Sequence, residues 1–260
     1  MRINLLKTGI KSLTAICVGA AVSLAHAAPI FWTDWTGSSN LNGFTADGTI
    51  TTGTASIGVT YNNAQGVFFI QTGGGTDFWT NGQFSGTRNT ATSPYTSTQV
   101  DNIPTGTDII ALQFRGSQTL QFSQAVANPV FSFVSLNGNG YAFLNQDFDI
   151  LSVGGEAGND CGYWGCGGVT KDAVDLGGGN FEYRLNSSNV GGSEPHGTIQ
   201  FKGAFNTLVW NSASDETWNG FTVGVQGTAV EVFRTPEPGT LALSGLALFG
   251  IVLARRRKVR

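Results

Sequence analysis

Short segments in which apolar and polar residues alternate dominate the middle of the chain, separated by clusters of Gly, Asn, Ser and Asp. Because successive side chains of a strand point to opposite faces, this period of two predicts β-strands. Within 130–136, for example, Phe131, Phe133 and Ser135 share one face, and the residues between them share the other. Comparable segments that predict strands lie at 109–114, 119–122, 141–144, 148–153, 181–185, 197–201, 207–210, 221–225 and 230–233.

The N-terminal third of this region is less regular. Residues 49–61 and 66–71 predict strands, whereas 72–107 is polar and turn-rich, which predicts a long surface excursion with one or two short strands. Nowhere between the two chain ends does the sequence combine three turns of helical periodicity with caps. We therefore expect an all-β protein built as a single antiparallel β-sandwich, jelly-roll-like, with many tight glycine turns.

The N-terminus has the pattern of an export signal. Positive charges in the first residues are followed by the apolar run 13–24, which is too short to span a bilayer of about 30 Å permanently. Ala25 and Ala27 then provide the small-x-small pattern that signal peptidase cleaves. We expect a signal helix within residues 1–27, cleavage by signal peptidase, and an exported domain at 28–234 that starts with Ala28.

The C-terminus has a second pattern, in a segment that we assign to residues 235–260. The sequence Pro236-Glu237-Pro238 precedes the apolar stretch 240–254, which would form about 22 Å of helix. Local bilayer thinning can absorb that mismatch, so we expect a short transmembrane helix in the precursor. A basic tail follows and should hold the C-terminus on the cytoplasmic side, with the body on the other. Its charged residues are Arg255, Arg256, Arg257, Lys258 and Arg260.

This combination of motif, short apolar stretch and basic tail resembles the PEP-CTERM sorting signal of Gram-negative bacteria that make exopolysaccharide. The resemblance implies that an exosortase recognises the Pro-Glu-Pro motif, cuts near it, and passes the body towards the cell surface or extracellular matrix. Three further segments, FDILSVGG, GYWGCGG and HGTIQFKGAFNTLVWNSASDETWNGFTVGV, resemble uncharacterised exported PEP-CTERM proteins with β-sandwich bodies. That second resemblance implies a fold and no catalytic residues.

The charge of the exported body excludes one class of partner. Of 14 Lys and Arg residues, three lie in the signal and five after residue 254, while all 17 acidic residues lie between Asp34 and Glu237. The body therefore carries a net charge of about −11. Such a body would be repelled by a polyanion, so we expect no nucleic-acid partner.

Cys161 and Cys166 are the cysteines that remain after signal cleavage. In an exported protein they predict a disulfide, with free or metal-binding thiols as the alternative. We expect the closed loop to hold Tyr163 and Trp164 outwards as a stiff tip. His196, the one histidine after the signal, lies in a turn-like sequence before 197–201, so we expect a turn residue and not a catalytic base.

Three carboxylates form the candidate metal site. Asp147 and Asp149 share a face of their predicted strand, and Glu156 follows in a loop. A solvated strand face is the plain interpretation, Ca²⁺ is the alternative cofactor, and glycoside hydrolysis would need a deep pocket around these groups.

The tryptophans give the alternative function. Trp210 lies in an alternating strand and is expected in the core, whereas Trp164 and Trp218 stand among turn residues and could stack on sugar rings. We expect a non-catalytic surface or extracellular-matrix protein, not an enzyme. The alternative is a carbohydrate-binding, lectin-like module of the exopolysaccharide matrix.

Overall fold

The computed structural model describes residues 29–188 and 194–233; the signal, the cleavage residues, the sorting motif, the apolar stretch and the basic tail lie outside these ranges. The described residues form strands and one short helix, α1 (Ala229–Phe233). The strands are β1 (Phe31–Trp32), β2 (Asp34–Ser39), β3 (Phe44–Thr51), β4 (Ser56–Asn63), β5 (Phe69–Gln71), β6 (Ile109–Leu112), β7 (Gly116–Ala127), β8 (Val130–Val134), β9 (Gly140–Leu144), β10 (Phe148–Val153), β11 (Gly168–Gly177), β12 (Asn180–Ser188), β13 (Gly197–Phe201), β14 (Ala204–Ser212) and β15 (Asn219–Val225).

These strands form two antiparallel sheets, which confirms the predicted all-β sandwich. The seven-stranded sheet has the order β10-β13-β8-β15-β6-β5, and β1 pairs with β15 beyond the end of β6. The eight-stranded sheet has the order β11-β12-β9-β14-β7-β4-β3-β2. In both sheets the neighbours are mostly distant in sequence, so the sandwich is held by long-range pairing.

The main core lies between the two sheets and is strongly aromatic. Phe131 of β8 stacks on Phe221 of β15, with ring centroids 4.9 Å apart and planes 5° apart. Both rings meet Trp210 of β14 nearly edge-on, at 5.5 Å and 5.3 Å. Trp210 is buried, as its alternating strand predicts. Each such ring removes a large apolar surface from water, and edge-to-face contacts add specificity to that burial.

A third layer covers the outer face of the seven-stranded sheet. Strands β8 and β15 are buried on both faces because residues 72–107 and the loop after β10 pack over them. The prediction of a surface excursion at 72–107 is therefore confirmed for the exposed residues 72–76 and 83–91 and wrong for the buried residues 78–81 and 93–96. The segment contains no named strand, only an isolated bridge, but it buries Trp79 and Tyr95 completely. Its apolar residues do not repeat with a strand or helix period, which is why the pattern concealed them.

Most predicted strands are confirmed, with bounds that differ by a few residues. Segments 148–153 and 197–201 match β10 and β13, whereas 49–61 is two strands, β3 and β4, joined by a turn. Strands β1, β2 and β11 were not predicted, because β1 has only two residues and β2 and β11 are largely solvent-exposed.

Segment 230–233 is wrong as a strand, since it lies in α1. A capping box explains the helix: Glu231 N donates to Thr228 Oγ1 at 3.1 Å, and Thr228 N donates to Glu231 Oε2 at 2.6 Å. Glu231 also accepts hydrogen bonds from Thr52 and Thr54, which tie α1 to the turn between β3 and β4. The end of the folded body is therefore fastened to the eight-stranded sheet.

Candidate functional site

The Cys161–Cys166 disulfide closes a small loop in the third layer. The loop does not project into solvent as a stiff tip, because Tyr163 and Trp164 are half-buried against neighbouring rings. Backbone hydrogen bonds join it to the 72–107 segment: Gly82 N donates to Cys161 O at 2.6 Å, and Phe84 N donates to Tyr163 O at 3.1 Å. The disulfide therefore stiffens a packed layer.

His196 connects this loop to the 72–107 segment from inside the protein. Its ring is completely buried. Nε2 accepts a hydrogen bond from Trp164 N at 3.3 Å, so Nδ1 carries the proton and faces Tyr95 Oη at 3.1 Å. Tyr95 Oη in turn donates to Phe78 O at 3.2 Å. Burial lowers the pKa of His196 to about 3, so the ring is neutral and structural, which goes beyond the predicted turn role.

The glycines around this loop allow its close approach to neighbouring groups. A Cβ on Gly162 would lie 2.2 Å from His196 Cγ, and one on Gly167 would lie 2.8 Å from Pro195. A Cβ on Gly155 would lie 2.5 Å from Cys166 Sγ, and Gly155 also has a φ of 80°. Larger residues at these positions would push the loop away from its neighbours, which accounts for Gly162 and Gly167 of GYWGCGG and for Gly155.

The structure brings the two candidate sugar-stacking residues together. Trp164 and Trp218 have ring centroids 6.3 Å apart and planes at 73°. They belong to what we call the aromatic surface cluster, a continuous set of rings over the edge of the seven-stranded sheet. Its members are Phe68, Phe69, Phe78, Phe84, Tyr163, Trp164 and Trp218.

Solvent reaches the aromatic surface cluster mainly at its rim. Phe84 is 56% exposed and Phe68 is 50% exposed, whereas the two tryptophans are half-buried. Phe84 meets Trp164 edge-on at 4.9 Å. The indole Nε1 of Trp164 has no hydrogen-bond partner in the described part of the chain. The cluster thus offers exposed ring surface at its rim, whereas the Trp164 donor is buried and much of the cluster serves packing.

Glu216 is a half-buried carboxyl at the end of the sandwich beside this cluster. Asn219 Nδ2 donates to its Oε2 at 2.9 Å, and Asn219 Oδ1 accepts from the buried Tyr141 hydroxyl. Burial raises the pKa of Glu216 to about 8, and the nearby Glu194 carboxyl also raises it. Glu216 therefore holds a proton across much of the neutral range.

The candidate calcium residues do not converge. Lys202 Nζ lies 2.7 Å from Asp149 and 3.2 Å from Asp147, and Lys171 also contacts Asp147. Burial raises the pKa of Asp147, but the two lysines lower it below its ordinary value on balance. Glu156 lies in the turn after β10. Within 29–188 and 194–233, no three His, Cys, Asp or Glu residues are placed to hold a metal ion. Calcium stays a prediction that this geometry does not favour.

A second pair of carboxyls was not singled out by the sequence. Asp34, at the start of β2, and Asp108, just before β6, line a cleft of about 470 Å³. They are distant in sequence and meet because β1 and β2 lie beside the end of the 72–107 segment. The alternation of apolar and polar residues within one segment could not have predicted this pair, because its two members come from distant segments.

Comparison with known proteins bears on the C-terminal segment. The family model of the PEP-CTERM protein-sorting motif matches residues 234–258, which begin directly after α1. The match confirms the resemblance stated for this segment and implies an exported, exosortase-processed protein directed to the extracellular side. No curated protein and no solved structure matches the chain. In the part of the chain that the structure describes, no helix is long and apolar enough to cross a membrane.

Proposed function

Because residues 234–258 carry the PEP-CTERM protein-sorting motif, we propose that this protein is a non-catalytic component of the cell surface or extracellular matrix. The precursor is cleaved after Ala27 by signal peptidase and is held in the membrane by 240–254, with its basic tail in the cytoplasm. An exosortase then cuts near Pro236-Glu237-Pro238 and releases or transfers the β-sandwich. The single observation that carries this proposal is the sorting match immediately after the folded body.

The chemistry of the described residues supports a non-catalytic role. The ring nitrogens of His196 are engaged in the interior, so the imidazole cannot reach a substrate without unfolding its layer. Asp147 and Asp149 are paired with lysines. A wide aromatic core and a cross-linked third layer suit a stable exported module.

Intact-mass analysis of the protein from producing cells and their medium tests this proposal. We expect a mature form that begins at Ala28 and ends near 236–238, with the disulfide formed. A variant with alanine at Pro236, Glu237 and Pro238 should accumulate as a membrane-bound precursor that retains the basic tail. Thr235→Ser is the matched control and should be processed normally. Recovery of the full uncut chain in the cytosol would refute the proposal.

Carbohydrate binding is the second candidate, supported by the aromatic surface cluster. Exposed aromatic rings such as Phe68 and Phe84 can stack on sugar rings. A glycan array probed with the mature protein tests this function. If the cluster is the site, Trp164→Ala and Trp218→Ala should each lose binding, whereas Phe181→Ala, at an exposed ring elsewhere, should not.

A further inference from the structure

Four strands lie at the ends of the two sheet orders: β10 and β5 in the seven-stranded sheet, and β11 and β2 in the eight-stranded sheet. Edge strands carry N–H and C=O groups that can pair with another chain, and proteins commonly protect them by short strands or bulges. Strand β5 has only three residues, and both β2 and β10 contain a register shift. Strand β11 differs, because it has ten residues and pairs with β12 without a shift from Gly168 to Asp175. Among these four described edges, β11 is the one that lacks such protection.

The pairing with β12 shows which backbone groups of β11 point away from the sheet. Ser187 N donates to Asn139 O at 3.3 Å, on the side of β9, so Ser187 does not exchange hydrogen bonds with its partner Val169. The backbone groups of Val169 therefore point outwards, and so do those of every second residue after it. The outward-pointing residues are Val169, Lys171, Ala173 and Asp175. Within 29–188 and 194–233, these outward groups have no hydrogen-bond partner.

The outward groups of β11 are complementary to themselves in an antiparallel arrangement. When two copies of β11 meet around a two-fold axis at Ala173, the two Ala173 residues exchange both of their N–H···O bonds. Lys171 of each copy then lies opposite Asp175 of the other, and these residues exchange a further pair of backbone bonds on each side of the axis. The edge strand can therefore satisfy its outward groups with a second copy of itself.

Charge favours this register over its neighbours. It places a Lys171 ammonium group opposite an Asp175 carboxylate twice, and opposite charges across a strand pair are stabilising. An axis at Asp172 or Asp175 would oppose two carboxylates, an axis at Lys171 would oppose two ammonium groups, and one at Val174 would form neither ion pair. Lys171 Nζ contacts Asp147 and a backbone carbonyl within its own chain, which leaves the third of its N–H donors for the second copy.

We propose that β11 is an interaction surface for a second copy of this chain, with which it pairs antiparallel about Ala173. The contact joins two eight-stranded sheets into one continuous sheet. The occupant is a second copy because a two-fold contact needs a surface that is complementary to itself, and β11 meets that requirement in both backbone and charge. Strand β11 also contains no proline that would remove a donor from the contact. This association is independent of how the precursor is sorted.

Sedimentation equilibrium of the mature protein over a wide range of concentration tests the proposal. We expect the wild-type mass to double as the concentration rises. Ala173→Pro removes an outward N–H but no hydrogen bond within the sheet, so thermal melting should show a folded protein. Its dissociation constant for the dimer should rise by about 10-fold or more. Ala173→Val keeps the N–H and is the matched control, which should dimerise like the wild type.

A charge variant tests the ion pairs of the same contact. Asp175→Lys would place two ammonium groups opposite each other on both sides of the axis, so dimerisation should weaken by about 10-fold or more. Asp101→Lys makes the same change of charge at an exposed carboxyl outside β11 and should leave dimerisation unchanged.

A single cysteine tests the register. The two Ala173 Cα atoms would lie about 5.5 Å apart, which is within reach of a disulfide. Ala173→Cys should therefore form a covalent dimer on mild oxidation, and a reducing agent should reverse it. Leu176→Cys is the matched control, because its position is also exposed but lies opposite Thr170 of the second copy. It should cross-link much less.

Three results would overturn the proposal. A wild type that stays monomeric at every concentration shows that β11 does not pair. Dimerisation that persists in both Ala173→Pro and Asp175→Lys shows that the copies meet through another surface. Cross-linking of Leu176→Cys that equals or exceeds that of Ala173→Cys rejects the register. If Ala173→Pro fails to fold, the comparison of Asp175→Lys with Asp101→Lys decides.

Discussion

The protonation of His196 gives the sharpest test of the buried third layer. The ring is completely buried, and burial lowers its pKa to about 3, against 6.5 for an exposed histidine. Between these two values the unfolded chain binds a proton that the folded protein excludes. The contribution of His196 to stability is therefore complete above pH 6.5 and is lost as the pH falls towards 3.

The magnitude follows from the two pKa values. In the window between them, the free energy of unfolding should fall by about 1.4 kcal/mol for each pH unit. Between pH 7.5 and pH 5.0, titration of the unfolded imidazole should cost the wild type roughly 2 kcal/mol. Glu216 acts in the opposite sense in this range, since its pKa is raised to about 8. The informative quantity is thus the difference between two proteins measured at both pH values.

The variant is His196→Gln, whose side chain does not titrate and whose oxygen can still accept from Trp164 N. At pH 7.5 it should be less stable than wild type by about 1–3 kcal/mol, because the partner of Tyr95 is lost in the interior. At pH 5.0 that deficit should shrink by roughly 2 kcal/mol. Urea unfolding of the mature protein, monitored by tryptophan fluorescence, measures the free energy of unfolding at both pH values. The same dependence on urea concentration is used for wild type and variant.

A matched control separates the proton from the hydrogen bond. Tyr95→Phe removes the hydroxyl that faces the imidazole but keeps His196 titratable and buried. It should lower stability at both pH values while retaining the acid-dependent loss of the wild type. If wild type and His196→Gln lose equal free energy between pH 7.5 and pH 5.0, the ring is not excluded from protonation, and the assignment of a buried neutral imidazole is wrong.

Three further predictions concern the same end of the molecule. The double variant Cys161→Ser/Cys166→Ser should lose about 2 kcal/mol in urea unfolding and become sensitive to proteolysis in this loop; unchanged cleavage would contradict a stiffening role. In Gly162→Ala the added Cβ would overlap the buried imidazole, so the free energy of unfolding should fall by roughly 3 kcal/mol in thermal or urea unfolding. Gly37→Ala adds a Cβ in open space and should be nearly neutral. Equal effects of the two substitutions would rule out the close approach of Gly162 to the ring. The raised pKa of Glu216 favours its protonated form in the folded protein, so wild-type stability should fall as the pH rises through about 8. Glu216→Gln should lack that fall when urea midpoints are measured across the pH range. Identical pH profiles of the two proteins would refute the raised pKa of Glu216.

The comparison of pattern and structure shows where local information suffices. Segment 197–201 alternates cleanly, and 148–153 alternates apart from an irregularity between Ile150 and Ser152; both have the predicted bounds, as β13 and β10. The capping box at Thr228 and Glu231 was readable from sequence, but the apolar residues around it suggested a strand. A helix of one turn is too short for its apolar residues to show a helical period, so the pattern favoured a strand.

The candidate sites depended more heavily on tertiary contacts. Trp164 and Trp218 were expected at the surface because they stand among turn residues, and they do reach it, but half-buried and packed edge-on. Asp149 lies in the predicted strand 148–153 and Asp147 directly precedes it, yet Lys171 and Lys202, which pair with them, come from another strand and another turn. No local rule brings such partners together.

The sequence by itself determined the sorting motif at 234–258 and the all-β class of this protein. An apolar run, a sorting motif and an alternating strand are each written within a few consecutive residues, so their physical meaning needs no distant partner. The tertiary structure decided the rest: that 72–107 packs over the seven-stranded sheet, that His196 is a neutral structural ring, and that Asp34 meets Asp108. Burial, pKa and the convergence of side chains arise from contacts between residues far apart in the chain, which the pairing of strands and the packing of 72–107 over the sheet create.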